Sequence, residues 1–144
     1  MRNVLIVSLD NDTHPTCLSI DEKGNANCVK NNKNWQTIRW TLSGKAAHGS
    51  FKAQTRTKPG FAWAPFRKPP TGIFSDPVLR HGDTVLTLAV LNDYKGDPGS
   101  IQTKGEFIYQ LSVTVDGKTY QSILKPGARV PKTRTTTNPR IKNT

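Results

Sequence analysis

The sequence predicts an all-β fold, arranged as a two-sheet antiparallel sandwich of about seven or eight short strands. Three observations carry this prediction. Apolar and polar residues alternate in several stretches with the period of two that a half-buried strand requires. The 144 residues include 11 glycines and 10 prolines, spread along the chain, which suits short strands joined by tight turns. No stretch shows the apolar spacing of an amphipathic helix, so no long helix is expected.

The clearest predicted element is a hairpin over residues 105–124. Its first strand alternates an apolar set with largely polar neighbours, the apolar set being Phe107, Tyr109, Leu111, Val113 and Val115. Asp116-Gly117 follows, and both residues accept the positive φ of a type I′ turn. Placing Val115 opposite Lys118 puts Tyr120 on the same face as Val113. One register therefore satisfies both strands, and a slip by one residue would expose the apolar face.

Further strands are predicted at Val4 to Leu9, Thr37 to Leu42 and Thr84 to Leu91. The first is apolar on both faces, which indicates a strand covered on both sides or packed near an edge. Trp40 lies in the middle of the second, where the large area of its ring favours a core position. Thr16 to Ile20 and Ala26 to Lys30 predict a second hairpin with a longer connection.

The chain is expected to form one domain, residues 1–144, with a long loop near 43–71 and a basic tail over 125–144. Repeated glycine and proline indicate the loop, since proline does not fit a central strand. The two cysteines, Cys17 and Cys28, are too few for a disulfide framework. The apolar run at the beginning is too short for a signal peptide or a membrane span. We therefore expect a cytoplasmic protein with reduced thiols.

Positive charge is the most unusual feature of the composition. The chain has 21 lysines and arginines against 10 acidic residues, a net charge of +11. No acidic residue occurs between Lys23 and Ser75, and none follows Asp116. Such a field attracts polyanions and speeds encounter with them. The favoured interpretation is that the charge only keeps a small protein soluble, and polyanion binding stays open as the alternative.

Cations and aromatic rings are interleaved in one part of the long loop, residues 56–68. The residues concerned are Arg56, Lys58, Phe61, Trp63, Phe66, Arg67 and Lys68. Rings that stack on bases and cations that neutralise phosphates form single-strand nucleic-acid platforms, and the same residue types anchor protein interfaces. The alternative is that the rings pack against the sandwich and keep the loop ordered. The solvent exposure of the rings decides between these interpretations.

Residues that could carry chemistry form no convincing catalytic or metal site. Val4 to Thr13 resembles the first motif of haloacid-dehalogenase-type phosphatases, with Asp10 as nucleophile and Asp12 as acid/base. Such enzymes need a parallel sheet with crossover helices, so a polar turn after the first strand is the favoured interpretation. The candidate metal ligands lack the paired spacing of a zinc site; they are His14, Cys17, Cys28, His48 and His81. No catalytic residue, cofactor or metal is expected.

Four segments carry a resemblance to a known family: Gly82-Asp83-Thr84, Leu91-Asn92-Asp93, the hairpin with Asp116-Gly117-Lys118, and Asn138 to Asn143. From Trp40 onward the chain resembles the DP-EP proteins. These are small bacterial β-sandwich proteins related in style to the immunoglobulin-like inclusion-body and AidA-type proteins. Members typically close with Asp-Pro and a short strand containing Ile and Asn, where this chain has Asn138-Pro139. The resemblance implies an immunoglobulin-like sandwich and no known chemistry.

The sequence therefore predicts a non-enzymatic β-sandwich module that acts in binding or in structure. Its expected partner is another protein or a second copy of the chain, and no membrane is involved. The alternative is a weak, sequence-independent binder of nucleic acid or another polyanion through residues 56–68 and the basic tail. A phosphatase-like hydrolase at Asp10 and Asp12 is the third hypothesis.

Overall fold

The computed structural model describes residues 3–10, 17–54, 57–66, 68–93, 103–124 and 138–144. The strands in these ranges are β1 (Asn3–Asp10), β2 (Cys17–Asp21), β3 (Cys28–Val29), β4 (Gln36–Leu42), β5 (Ser50–Phe51), β6 (Phe61–Trp63), β7 (Val78–Arg80), β8 (Val85–Val90), β9 (Gly105–Val115), β10 (Lys118–Gln121) and β11 (Arg140–Asn143). The helical segments of the described chain are two three-residue 3-10 turns, Lys23–Asn25 and Gly44–Ala46. The predicted all-β class and the expected lack of a long helix are confirmed for these residues.

The strands form one mixed sheet in the order β3-β11-β9-β10-β2-β1-β4-β8-β7, with β5 and β6 pairing separately with β9. Three pairs are parallel: β1 with β4, β10 with β2, and β11 with β3. The prediction of a purely antiparallel arrangement is therefore wrong. An alternating pattern specifies which residues share a face, whereas strand direction depends on the connections. The connection between β1 and β4, residues 11–35, is long enough for a parallel crossover.

Strand β9 is the element around which the others are arranged. Its N-terminal part pairs with β11 and its C-terminal part with β10, while β6 and β5 pair with its middle and end. The predicted hairpin is confirmed in register, since Val115 lies opposite Lys118 and Val113 opposite Tyr120. Asp116 and Gly117 have φ of 50° and 77°, as a type I′ turn requires.

Strand β1 differs from its prediction. It lies between β2 and β4, so it is not near an edge of the sheet. Leu5 and Val7 on its inner face are fully buried, whereas Val4 and Ile6 on the outer face are exposed. The apolar pattern on both faces predicted that both faces of β1 would be buried, but the described residues bury only one of them. Among the described residues, β1 therefore leaves the apolar side chains of Val4 and Ile6 on its outer face open to solvent.

The predicted hairpin between Thr16 to Ile20 and Ala26 to Lys30 is also wrong. Both segments contain strands, but β2 pairs with β1 and β10, and β3 pairs with β11. The predicted loop at 43–71 contains two short strands, β5 and β6, that both pair with β9. Of the predicted tail, residues 125–137 lie outside the described residues. Residues 140–143 form β11, paired with β9 and β3.

A cluster of aromatic rings joins distant parts of the sheet. Trp40 on β4 is fully buried, and its Nε1 donates a hydrogen bond of 3.0 Å to Oη of Tyr109 on β9. The centroids of these two rings are 5.2 Å apart, and Phe61 stacks on Tyr109 at the same distance. Strands β10, β2 and β1 separate β4 from β9 in the sheet order. Contact between Trp40 and Tyr109 therefore requires the sheet to curl around a shared core.

Burial raises the pKa of the Tyr109 hydroxyl well above its usual range, so this group is neutral, and its oxygen accepts the hydrogen bond from the indole N–H. Further rings extend the cluster toward the surface. Trp63 contacts Phe61 and Phe74, and Phe74 contacts Phe107. Aromatic pairs at these separations stabilise a core beyond their buried area.

The substitution Tyr109→Phe should destabilise the fold by about 1–3 kcal/mol, because it leaves the buried N–H of Trp40 without an acceptor. Chemical denaturation followed by tryptophan fluorescence measures this change. Tyr120→Phe is the matched control, since Tyr120 is half-buried on the neighbouring strand β10 and should change stability much less. Equal effects of the two substitutions would contradict the assigned role of the Trp40–Tyr109 hydrogen bond.

Candidate binding surface

The predicted binding loop, residues 56–68, is partly a strand. Arg56 and Arg67 lie outside the described residues. Phe61 is 2% exposed and lies opposite Leu111 in the β6–β9 pair. The side chain of Gln54 holds Phe61 on its other edge: Gln54 Oε1 accepts from the Phe61 N–H at 2.9 Å, and Gln54 Nε2 donates to the Phe61 carbonyl at 2.8 Å. Phe61 is therefore a core residue.

The other two rings of this loop differ from each other. Trp63 is half-buried, with its ring centroid 4.9 Å from Phe61 and 4.6 Å from Phe74. Phe66 is 40% exposed, and Lys58 and Lys68 are exposed. The loop thus presents one open ring instead of three, and the packing interpretation accounts for Phe61 and Trp63. Ligand binding by this loop stays a prediction, resting on Lys58, Phe66 and Lys68 among its described residues.

A second exposed ring, Trp35, lies in a segment that the sequence did not single out. Trp35 is 53% exposed, more than any other exposed large apolar side chain among the described residues. It lies just before β4, in a segment that we call the Trp35 loop, residues 30–36. The loop also carries Lys30 and Lys33, both exposed. Burying a ring is favourable by a few kcal/mol and tryptophan is enriched at binding surfaces, so a tryptophan left open on an ordered loop is a candidate contact residue.

Three hydrogen bonds give the Trp35 loop its shape. Gln36 Nε2 donates to the carbonyl of Lys30 at 2.7 Å and closes the loop on itself. The N–H of Asn34 donates to Oδ1 of Asn32 at 2.9 Å, a local turn typical of asparagine. The N–H of Asn32 donates to the carbonyl of Asn92 at 2.8 Å and fastens the loop to the end of β8. The ring is therefore presented by a pre-ordered loop.

Asn92 is itself held by a buried polar network. Its Nδ2 donates to the carbonyls of Val29 and Thr144, at 2.8 and 3.0 Å. Its Oδ1 accepts from Oγ1 of Thr103 at 2.8 Å, and Asn143 Nδ2 donates to the Thr103 carbonyl at 2.8 Å. We call Asn92, Thr103 and Asn143 the asparagine clamp. The amide nitrogens of Asn92 and Asn143 are thus paired with backbone carbonyls, whereas Oδ1 of Asn143 is buried without a partner. The network joins the Trp35 loop, β3 and β11 at one end of the sheet.

The charges at this end of the sheet are mostly positive. Lys104 and Lys142 are exposed there, in addition to the two lysines of the Trp35 loop. The carboxylate of Glu106 forms an ion pair with Arg140, with Nη1 and Oε1 3.0 Å apart. Since that pair is internally neutral, the charges left at this end among the described residues are the four exposed lysines and, opposing them, Asp93 beside Asn92 and Glu22.

Glu22, which follows β2, is the one acidic group here with a perturbed environment. Its Oε2 is buried and has no hydrogen-bond partner. Burial raises the pKa of Glu22, and the positive charges of Lys142 and Arg140 only partly oppose this. A carboxyl with a raised pKa is a common feature of acid–base sites, but the same shift follows here from burial of the Glu22 side chain.

The phosphatase-like motif has no support in the fold around it. Asp10 is the last residue of β1, and Asp12 lies outside the described residues. Strand β1 is parallel to β4 but antiparallel to β2, and the described part of the connection between β1 and β4 contains one 3-10 turn and no crossover helix. The favoured interpretation, a strand that ends in a polar segment, accounts for Asp10.

The candidate metal ligands are dispersed. Cys17 on β2 and Cys28 on β3 are half-buried and are not joined in a disulfide. His48 lies 3.4 Å from Asp116 on the surface, His81 is exposed in a turn, and His14 lies outside the described residues. No group of three or more potential ligands comes together over the ranges that the structure describes.

Comparison with protein-family models and with curated proteins found no match. The resemblance to the DP-EP proteins therefore stays a prediction. None of the helical segments in the described ranges is long and apolar enough to cross a membrane.

The substitution Glu22→Gln should stabilise the fold increasingly as the pH rises above about 4.5. The folded state prefers protonated Glu22, so the stability this group contributes is complete below its ordinary pKa and is lost as the pH rises through the higher folded value. Melting temperatures of wild type and variant across the acidic to neutral range test this. Glu106→Gln, which removes the exposed partner of Arg140, should not show the same trend. A wild type that gains stability over Glu22→Gln with rising pH would contradict the assignment.

Proposed function

We propose that the chain is a non-enzymatic binding module on an all-β scaffold, and that its ligand is a polyanion. The scaffold in this proposal is a two-sheet, immunoglobulin-like sandwich of the DP-EP kind. The curl that brings Trp40 of β4 against Tyr109 of β9 supports two facing layers. The short terminal strand Arg140–Asn143, which contains Ile141 and Asn143, supports the likeness to that family. The reduced state of Cys17 and Cys28 is in keeping with a reducing, cytoplasmic environment.

The observation that carries the proposal is the set of exposed lysines around an ordered, exposed tryptophan. Lys30 and Lys33 belong to the same closed loop as Trp35, and Lys104 and Lys142 lie at the same end of the sheet. The net charge of +11 adds a long-range attraction for anions. Lys58 and Lys68 of the predicted loop, together with the cations beyond residue 124, would extend this contact along a polymeric ligand through their charge.

Association with a phosphate polymer releases counterions, so salt should weaken it strongly. We expect the logarithm of affinity for polyphosphate to fall linearly with the logarithm of salt concentration, with a slope of about −0.7 for each phosphate contacted, as for a single strand. Fluorescence titration at a series of salt concentrations measures the slope. A matched titration with an uncharged polymer should show no binding. Retention of polyphosphate that is independent of salt, or no binding at low salt, would contradict the proposal.

The outer face of the sheet favours a second function, self-association. Val4 on β1 and Val78 on β7 are exposed, and the register places Arg39 and Thr87 between them in one row across four strands. The next row begins with Asp21 beside exposed Ile6. A face that combines apolar residues with both signs of charge is complementary to itself, which suits a two-fold dimer.

If this face pairs with a second copy of the chain, sedimentation velocity should show a dimer that Ile6→Lys converts to a monomer. The lysine would place an unpaired charge in the middle of the interface. Ala47→Lys, at an exposed position outside this face, is the control and should leave the dimer intact. A wild type that remains monomeric at all concentrations would exclude self-association.

A further inference from the structure

We infer that the Trp35 loop is a stacking site for an unpaired base of single-stranded nucleic acid, with Lys30 and Lys33 on the flanking phosphates. This inference rests on the proposed binding of polyanions and names the ligand class. It starts from the exposed ring: every base offers a flat face, and stacking of bases on aromatic side chains is the usual mode of single-strand binding.

The placement of the ring supports stacking over a role in folding. More than half of the Trp35 side chain is open, while the rings of Trp40, Phe61 and Tyr109 account for the centre of the core. Trp35 makes none of the close ring contacts that link the aromatic cluster within the described chain. Its removal therefore takes little from the packed interior.

The loop is also ordered in advance, which lowers the entropic cost of binding. The bond from Gln36 to the Lys30 carbonyl brings the two ends of the loop together, so Lys30 lies beside the residue that follows Trp35. Asn32, between the two lysines, is fastened to Asn92 of the asparagine clamp. Two exposed lysines, Lys30 and Lys33, therefore share this closed loop with the exposed ring. A single-stranded nucleic acid, which carries a phosphate next to every base, offers a partner for the cations as well as for the ring.

The decisive experiment compares a short oligothymidylate with an abasic deoxyribose-phosphate chain of the same length. The full-length protein should bind the oligothymidylate roughly 5- to 100-fold more tightly, the range expected for one stacked base. Trp35→Ala should remove this preference and leave binding of the abasic chain unchanged, while Trp35→Phe should retain part of it. Phe66→Ala is the matched control, since Phe66 is the exposed ring of the other loop, and it should retain the full preference.

Tryptophan fluorescence gives a second readout of the same complexes. Oligothymidylate should quench the wild-type emission, and the quenching should disappear in Trp35→Phe, in which Trp40 and Trp63 remain. This variant keeps a ring at the position, so the test does not depend on how the alanine variant folds. Cooperative thermal unfolding of each variant confirms that it is folded.

The lysines have a separate signature. Lys30→Gln and Lys33→Gln should each weaken the binding of both probes to the same extent. Each should also lower the magnitude of the salt slope by about 1. Lys118→Gln, at the start of β10 and at the other end of β9 from Lys104, should leave the binding of both probes unchanged.

The outcomes separate the inference from the proposed function. Equal affinity for the two probes would overturn the stacking inference and leave polyanion binding in place. A preference that survives Trp35→Ala and disappears in Phe66→Ala would also overturn it, because the base would then stack in the other loop. If neither probe binds at low salt, the proposed function and the inference both fail.

Discussion

The contact between Trp40 and Tyr109 is the interaction on which the rest of the structure depends. It joins β4 to β9, although three strands separate them in the sheet order. The contact therefore requires the sheet to curl, and the curl encloses the core. Both rings are fully buried, and each polar atom of such a ring must find a partner. The indole N–H donates a hydrogen bond to the Tyr109 hydroxyl, so this polar group is not left unpaired in the apolar core. This fixes how β4 is placed, and therefore where the loop that leads into β4 emerges.

Whether an aromatic residue is buried or exposed here depends on whether its backbone pairs with a neighbouring strand. Phe61 and Tyr109 lie on strands that pair with each other, and this pairing directs their rings into the core. Trp35 precedes β4 in a loop held by side-chain hydrogen bonds, so its ring has no facing strand to pack against. The asparagine clamp makes this arrangement stable by pairing buried amides with backbone carbonyls. The exposed Trp35 ring is thus held on a loop that the asparagine clamp anchors, and this arrangement suits ligand binding.

Sequence patterns predicted those parts of the fold that depend on local chemistry. Asp116-Gly117 determined the turn and register of the β9–β10 hairpin, and alternation identified the buried side of β4. Parallel pairing was missed because alternation is the same in both directions. Phe61 was placed in a loop because the prolines and glycines around it mask a three-residue strand. Trp35 was missed because one ring in a polar stretch gives no periodic signal. The anchoring of its loop depends on Asn92, far away in sequence, and only the fold shows this.

The central claim is that one of the three tryptophans meets the ligand, while another holds the core together. The indole N–H resonances of the ¹⁵N-labelled protein report on all three residues at once. On titration with oligothymidylate, the account predicts that the Trp35 indole and the backbone amides of its loop shift together, while the hydrogen-bonded indole of Trp40 does not move. Saturable shifts centred on Phe66 and its neighbours, with the Trp35 indole unchanged, would contradict it.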